Sequence, residues 1–233
     1  MKIGVMQPYF IPYIGYWQLI NAVDQYVVYD DVNYRRGWIN RNRILNAGEV
    51  QYFNIPLCDS SQNKLINEIE IDNDYNILRK RLRTIETAYR KAPYFLSVYP
   101  LMEKIFFCEE KKLAMFLLNS IQILCDYLNI RTKLILSSYL EKDCQLRGAE
   151  KIIEICKVMG ATEYYNAIGG IDLYSFYLFR EFGLQLKFIK TKKIQYKQFN
   201  HIFQENLSIL DIMMFNSTEQ IAQMLQEYDL VIQ

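Results

Sequence analysis

Short apolar runs alternate with stretches of helical period along most of this chain, and their order predicts its architecture. Residues 2–6 form a buried-strand pattern, and 7–14 hold two prolines and cannot be regular. Tyr16, Leu19, Ile20 and Val23 then recur at helical spacing, and 25–29 are β-rich again. This is a βαβ start with a proline-containing loop after its first strand. From 32 to 72 the pattern is a β-rich insertion or flap, with strands expected at 50–57 and 65–71 around the polar turn 59–63. Residues 75–127 read as a helical insertion. There Leu78, Leu82, Ile85 and Tyr89 share one face of a helix ended by Pro93, and helices at 95–107 and 111–127 follow.

The sheet pattern resumes at 133–136. A helix over 149–159 stopped by Gly160, a strand at 162–165, a helix at 173–180 and a strand at 184–189 come next. Two helices close the chain, with Ser208-x-x-Asp211 and Ser217-x-x-Gln220 as capping boxes. The fold class is therefore expected to be α/β. A single domain over 1–233 is built on a doubly wound, mostly parallel sheet of about five strands, with the β-rich and helical insertions attached.

Composition narrows the picture by exclusion. With 51% hydrophobic and 23% charged residues the chain has an ordinary core, and a net charge of +1 gives no reason to expect nucleic acid as its ligand. No apolar run approaches the ~20 residues that span a bilayer. The five cysteines show no Cys-x-x-Cys spacing, so neither a disulfide framework nor a zinc site is expected, and a cytoplasmic location is. Cys156 lies on an apolar helical stripe. Cys144 lies in a polar loop where nothing adjacent in sequence activates it. The single histidine, His201, excludes a two-histidine metal site within one chain and, lacking a sequence partner, reads as structural.

Ligands of open α/β sheets bind at the carboxyl ends of the strands, which selects the candidate chemistry. Gln7 and Tyr9 open the rigid loop after the first strand, suited to holding a ligand against a helix N-terminus or to packing the sheet edge. Asp30 and Asp31 end the second strand. Paired carboxylates there suit a general base or a divalent cation, and equally a turn with a salt bridge to Arg35 or Arg36. Residues 35–43 pack four Arg, two Asn and one Trp. Their forks suit phosphate and the indole suits a base or sugar; if extended, Trp38, Asn40 and Asn42 face one side and Arg41 and Arg43 the other. Asn166, Gly169 and Gly170 end another strand, as a ligand loop or a structural turn. Arg79, Lys80, Arg81, Arg83, Arg90 and Lys91 make a basic helix, either a solvated face or a docking surface for an acidic carrier protein.

Several segments resemble the signature of the WbqC-like family. They are residues 7–16, 29–32 and 37–44, Thr84-Ile85-Glu86 with Ala92-Pro93-Tyr94-Phe95, residues 153–157, 160–166 and 168–170, and residues 206–211. The family pattern falls on Gln7, Pro8, Gly15, Asp30, Asp31, Trp38, Asn40, Arg41, Asn42, Arg43, Asn166, Gly169, Gly170, Asn206 and Asp211. Ala167 and Glu205 stand where the family usually has proline. The first loop also bears a distant resemblance to adenylate-forming nucleotidyltransferases, without their histidines.

The WbqC-like resemblance implies a cytoplasmic transferase of bacterial surface-polysaccharide biosynthesis. Its expected reaction is N-acyl or N-aminoacyl transfer from a thioester donor to a nucleotide-linked amino sugar. Asp30 or Asp31 would serve as base, and Gln7 and Asn166 would position the acceptor or polarise the carbonyl. Tyr9, Arg36, Trp38, Asn40, Arg41, Asn42, Arg43, Gly169, Gly170, Asn206 and Asp211 would bind substrate, and no residue is assigned to a metal. Acyl-coenzyme A, or an acyl carrier protein at the basic helix 79–91, would supply the donor. The alternatives are a Mg²⁺- or Mn²⁺-dependent nucleotidyl or glycosyl transferase using Asp30 and Asp31, and a non-catalytic scaffold in the same pathway.

Overall fold

A computed structural model describes residues 1–199 and 202–232, so the expectation for His201 lies outside the described residues. The chain opens with strand β1 (Lys2–Met6), helix α1 (Ile14–Asn21) and strand β2 (Gln25–Val28). It then leaves the sheet for strands β3 (Arg41–Asn46), β4 (Glu49–Asn54), β5 (Leu57–Cys58) and β6 (Glu70–Ile71) and helices α2 (Tyr75–Tyr89), α3 (Phe95–Phe106) and α4 (Leu113–Tyr127). The sheet resumes with β7 (Lys133–Leu136), α5 (Gly148–Val158), β8 (Glu163–Ala167), α6 (Phe176–Glu181) and β9 (Gln185–Thr191). Helices α7 (Ile209–Phe215) and α8 (Thr218–Met224) lead to the last strand, β10 (Tyr228–Ile232).

The main sheet has six strands in the order β10-β9-β8-β1-β2-β7, parallel except for β10, which pairs antiparallel with β9. The sequence pattern led to about five. The sixth was missed because Tyr228-Asp229-Leu230-Val231-Ile232 is an edge strand buried on neither face, without the apolar run that marks the central strands. β1 is that central kind, pairing with β2 on one side and β8 on the other. Tyr26 and Val28 on one face join α1, α2–α4, α7 and α8 in one hydrophobic cluster; Ile3, Val5 and Val27 on the other join Ile152, Ile155 and Cys156 of α5 and Phe179 of α6 in a second. Cys156 is thus core, its thiol pushed up to about 12 by burial.

Off the sheet, α2 buries Leu78, Leu82, Ile85 and Tyr89 on one stripe as their spacing predicts. The β-rich stretch departs from expectation. Its hairpin joins β3 to β4 through Ala47 and Gly48, both at positive φ, and the expected second strand is interrupted by a 3₁₀ turn, Ile66–Glu68, leaving only β6 extended at its end. Among the described residues no helix is long and apolar enough to cross a membrane.

Candidate functional site

The loop between β1 and α1 is held from every side. Phe10 N–H donates to the Trp38 carbonyl at 3.1 Å, and Ile209 N–H donates to the Pro12 carbonyl at 2.9 Å. The Asn42 amide donates to the carbonyls of Phe10 and Ile11, both at 3.1 Å. The Ser208 hydroxyl donates to the Ile11 carbonyl at 2.6 Å, Trp17 Nε1 to Pro12 at 3.0 Å, and the Tyr16 hydroxyl to Gln7 at 3.1 Å. These bonds hold Ile11, a β-branched residue, at φ 41. That conformation costs about 1–3 kcal/mol and persists where its surroundings over-determine it. Gly15 completes the fit: a Cβ there would lie 2.5 Å from the Tyr13 hydroxyl, so only glycine lets that ring fold over the start of α1.

Beside this loop opens a cavity of about 330 Å³ lined by Tyr9, Pro12, Tyr13, Trp38, Asn42, Arg43 and Asn206. The Arg43 guanidinium lies 5.5 Å from the Trp38 ring centroid and donates from Nη2 to the Asn206 carbonyl at 2.8 Å. Its Nε is buried without a hydrogen-bond partner among the described residues. The Trp38 indole is 44% exposed, and burial raises the phenols of Tyr9 and Tyr13. Aromatic walls, one fork of cationic donors and the uncapped first turn of α1 meet here, a combination suited to an anion carrying a planar or sugar group.

Arg36, Asn40 and Arg41 go elsewhere. Residues 38–40 form a turn rather than a strand, so the expected alternation begins only at Arg41. The three line a separate cavity of about 360 Å³ with Tyr34, Gly37, Tyr52, Asn54, Leu57 and Ser60. Asn40 is committed to the frame, accepting from the Tyr34 hydroxyl and donating to the Ile55 carbonyl, both at 3.0 Å.

Asp30 and Asp31 part company. The Asp30 carboxylate is buried and accepts from Ser138 N–H at 2.9 Å, the Ser138 hydroxyl at 2.6 Å and the Asn67 amide at 3.4 Å, which ties β2 to the segment after β7. Asp31 takes Lys142 at 2.9 Å and Lys151 at 3.0 Å on one carboxylate oxygen. Both ammonium groups are almost fully buried, and Lys142 also donates to the Ser137 carbonyl while Lys151 reaches the Asp31 carbonyl at 2.9 Å. Burial pushes the Asp31 carboxyl up, and the Ser137 hydroxyl with the two lysines outweighs it, holding the group below the usual carboxylate range. Neither aspartate lines either cavity. The expected bridge to Arg35 or Arg36 is replaced by lysines more than a hundred positions away, and its local signal was Lys151 standing on the apolar stripe of α5 with Ile155.

Asn166 ends β8, its Oδ1 accepting from Ala167 N–H at 2.8 Å. Gly170 packs on its amide, where a Cβ would lie 2.8 Å from Nδ2, and Gly169 faces open space. The Gln7 side chain makes no hydrogen bond among the described residues. Asp211 lies in the core, accepting from Tyr196 at 2.6 Å, Tyr89 at 2.7 Å and Gln198 at 2.8 Å. Burial raises its carboxyl despite those donors. Its side chain therefore does not close the expected capping box with Ser208, which caps α7 alone, whereas Ser217 and Gln220 close theirs.

The sequence model of the WbqC-like protein family matches residues 7–223. The chain belongs to the WbqC-like family. The matched span holds every residue lining the two cavities as well as the lysine-bound Asp31. A relative from Mycobacterium tuberculosis (strain ATCC 25618 / H37Rv), named as uncharacterized protein Rv1507c, is 29% identical over 217 residues, covering 91% of this WbqC-like chain and 92% of the relative. No solved structure matches.

Proposed function

We propose that this protein binds a nucleotide-linked amino sugar in the cavity of Tyr9, Tyr13, Trp38 and Arg43, and transfers an acyl or aminoacyl group to its amine. The reaction would be a cytoplasmic step of bacterial surface-polysaccharide assembly, the setting that membership of the WbqC-like family suggests. We read the sheet as doubly wound, with its switch point between β1 and β8, whose following connections leave in opposite directions. Gln7 directly follows β1 and Asn166 is the penultimate residue of β8, so both lie at the carboxyl ends where ligands of such sheets bind, beside rather than within the cavity lining. The observation that carries the reading is the convergence of two phenol rings, an exposed indole and a guanidinium with an unused Nε in one cavity.

In this reading Arg43 holds the diphosphate and Trp38 stacks on the base or sugar. The amine attacks the thioester carbonyl, whose oxygen the amides of Gln7 and Asn166 polarise. The C–N bond forms, the C–S bond breaks, and the proton released by the amine passes to the departing thiolate. Asp30 and Asp31 act as ties that hold the strand ends, since hydrogen bonds fill the Asp30 carboxylate and two ammonium groups hold one oxygen of Asp31, whose other oxygen is buried without a hydrogen-bond partner among the described residues. Two buried ammonium groups about 3 Å from Asp31 would repel a divalent cation there, so the donor set does not fit the metal-dependent alternative. The scaffold alternative keeps one observation in its favour. The segment from Tyr75 to Lys91 carries six cationic side chains against one carboxylate, Glu86, in a chain of net charge +1, and none of the six forms a salt bridge among the described residues.

Thermal melting with nucleotide-linked amino sugars tests the proposal. A ligand at ~100 times its Kd adds ~2.7 kcal/mol, a rise of roughly 2–4 °C for a domain of this size. Trp38→Ala and Arg43→Ala should abolish the rise. No rise with any such sugar, with or without an acyl donor, overturns it, and binding of an acidic carrier protein lost on charge reversal at Arg79, Arg81 and Arg83 would favour the scaffold.

A further inference from the structure

The two cavities share no lining residue, although the short segment from Arg36 to Arg43 supplies walls to both. We infer that the second cavity is a separate anion site, which takes the multiply charged phosphate end of a nucleotidic acyl donor while the first holds the acceptor. This rests on the transfer reading for the donor's role, though not for the site itself.

The site is built from two guanidinium groups. Arg36 and Arg41 line it, and neither side chain forms a hydrogen bond or salt bridge among the described residues. Both lie close enough to act on the Tyr34 phenol, pulling it down against the larger effect of burial. Arg41 stacks on Tyr52 with its guanidinium 4.9 Å from the ring centroid. That stacking fixes the plane of the fork and leaves its edge for a ligand. Asn40, locked between Tyr34 and Ile55, keeps the rear wall rigid. Gly37 lies at φ 148 with nothing within 4 Å of where a Cβ would be, so backbone rather than side chain borders the opening.

Two unpaired forks on one cavity attract a group with at least two negative charges, and no carboxylate lines the cavity to compete. Tyr52, among the exposed rings, offers the flat surface that a nucleoside requires beside its phosphates. At about 360 Å³ the cavity is near the lower limit for a ligand of drug size, enough for a phosphorylated nucleoside and too small for the whole of an acyl-coenzyme A. The remaining arm and its thioester would therefore lie outside it, free to cross β3 toward the first cavity. A coenzyme A thioester carries the required chemistry, whereas an acyl adenylate, with a single phosphate charge and no thioester, does not.

Isothermal titration with adenosine 3′,5′-bisphosphate, coenzyme A, ATP and tripolyphosphate tests this. The bisphosphate and coenzyme A should bind. Arg36→Ala and Arg41→Ala should each weaken binding at least about ten-fold, the usual weight of a charge-assisted hydrogen bond. Arg41→Lys, which keeps the charge and the stacking, should recover only part of that loss. Trp38→Ala and Arg43→Ala should leave it unchanged, as should saturation with a nucleotide-linked amino sugar. Preference for ATP over both the bisphosphate and coenzyme A would overturn the assignment of the donor as a coenzyme A thioester. No binding by any nucleotide, competition with the sugar, tripolyphosphate binding as tightly as the nucleotides, or indifference to both arginines overturns the inference. Binding that depends on Arg36 and Arg41 in a protein that ignores every nucleotide sugar would uphold this site and overturn the acceptor reading.

Discussion

Two carboxylates that looked alike as candidates respond to pH in opposite senses. Asp31 titrates below the usual range when folded, so its contribution is present above the unfolded value of about 3.9 and is lost as pH falls through the folded value. Asp211 titrates above that range, so its contribution is fullest in acid and is lost as pH rises through the raised value. Urea unfolding across pH should show an acid limb that Asp31→Asn removes and a slope toward neutrality that Asp211→Asn flattens. Asp31→Asn should also lower stability at pH 7 by about 3–5 kcal/mol, because it leaves two buried ammonium groups without their counter-ion. A fully stable Asp31→Asn protein that had lost turnover would instead return the residue to catalysis. Asn42, expected to meet substrate, lines the first cavity and also braces Phe10 and Ile11 through its amide, bonds that run between segments about thirty positions apart and leave no trace in local spacing. Asn42→Ala should cost about 1–3 kcal/mol, chiefly for the Phe10 carbonyl, since Ser208 still serves that of Ile11, and should weaken sugar binding beyond what its melting temperature explains.

At the level of elements, legibility followed periodicity. The stripe of Leu78, Leu82, Ile85 and Tyr89 declared α2 because one face of that helix is buried and the other is charged. Leu82→Ala should cost about 2–5 kcal/mol, while Arg83→Glu on the exposed face should stay within about 0.5 kcal/mol, as chemical denaturation would measure. The turn at 38–40 is open in the sequence, where an extended form is only one condition, because the alternation of its side chains is compatible with either form. What decides it is the Phe10 bond to the Trp38 carbonyl, a tertiary contact. Gly15 shows how closely the first loop and α1 depend on each other. Gly15→Ala should displace the Tyr13 ring, at a cost of about 1–3 kcal/mol from overpacking, and deform the sugar cavity; unaltered binding in calorimetry would argue that Tyr13 is no part of it.

Across the whole molecule the parallel sheet was readable and its last strand was not. β1 and β2 are buried on both faces and announce themselves as apolar runs, while β10 depends on β9 for its register and on nothing in its own composition. The candidate site was readable as a set of residues and not as a geometry. The sequence places Trp38, Arg41 and Arg43 within six positions, and only the fold divides them between two cavities. Hydrogen exchange should be slowest in β1, β2 and β8 and fastest at β10 and the β3–β4 hairpin, an order that would invert if the first strand were a late addition to a stable remainder.

The central place of β1 also bears on how the protein is made. Lys2 pairs with Glu163, so during synthesis one edge of β1 waits for a partner 161 positions downstream. At ordinary synthesis speeds that interval is roughly 8–30 s. Throughout it β2 can cover one flank of this apolar strand, while the hydrogen-bonding edge that β8 later takes stays open.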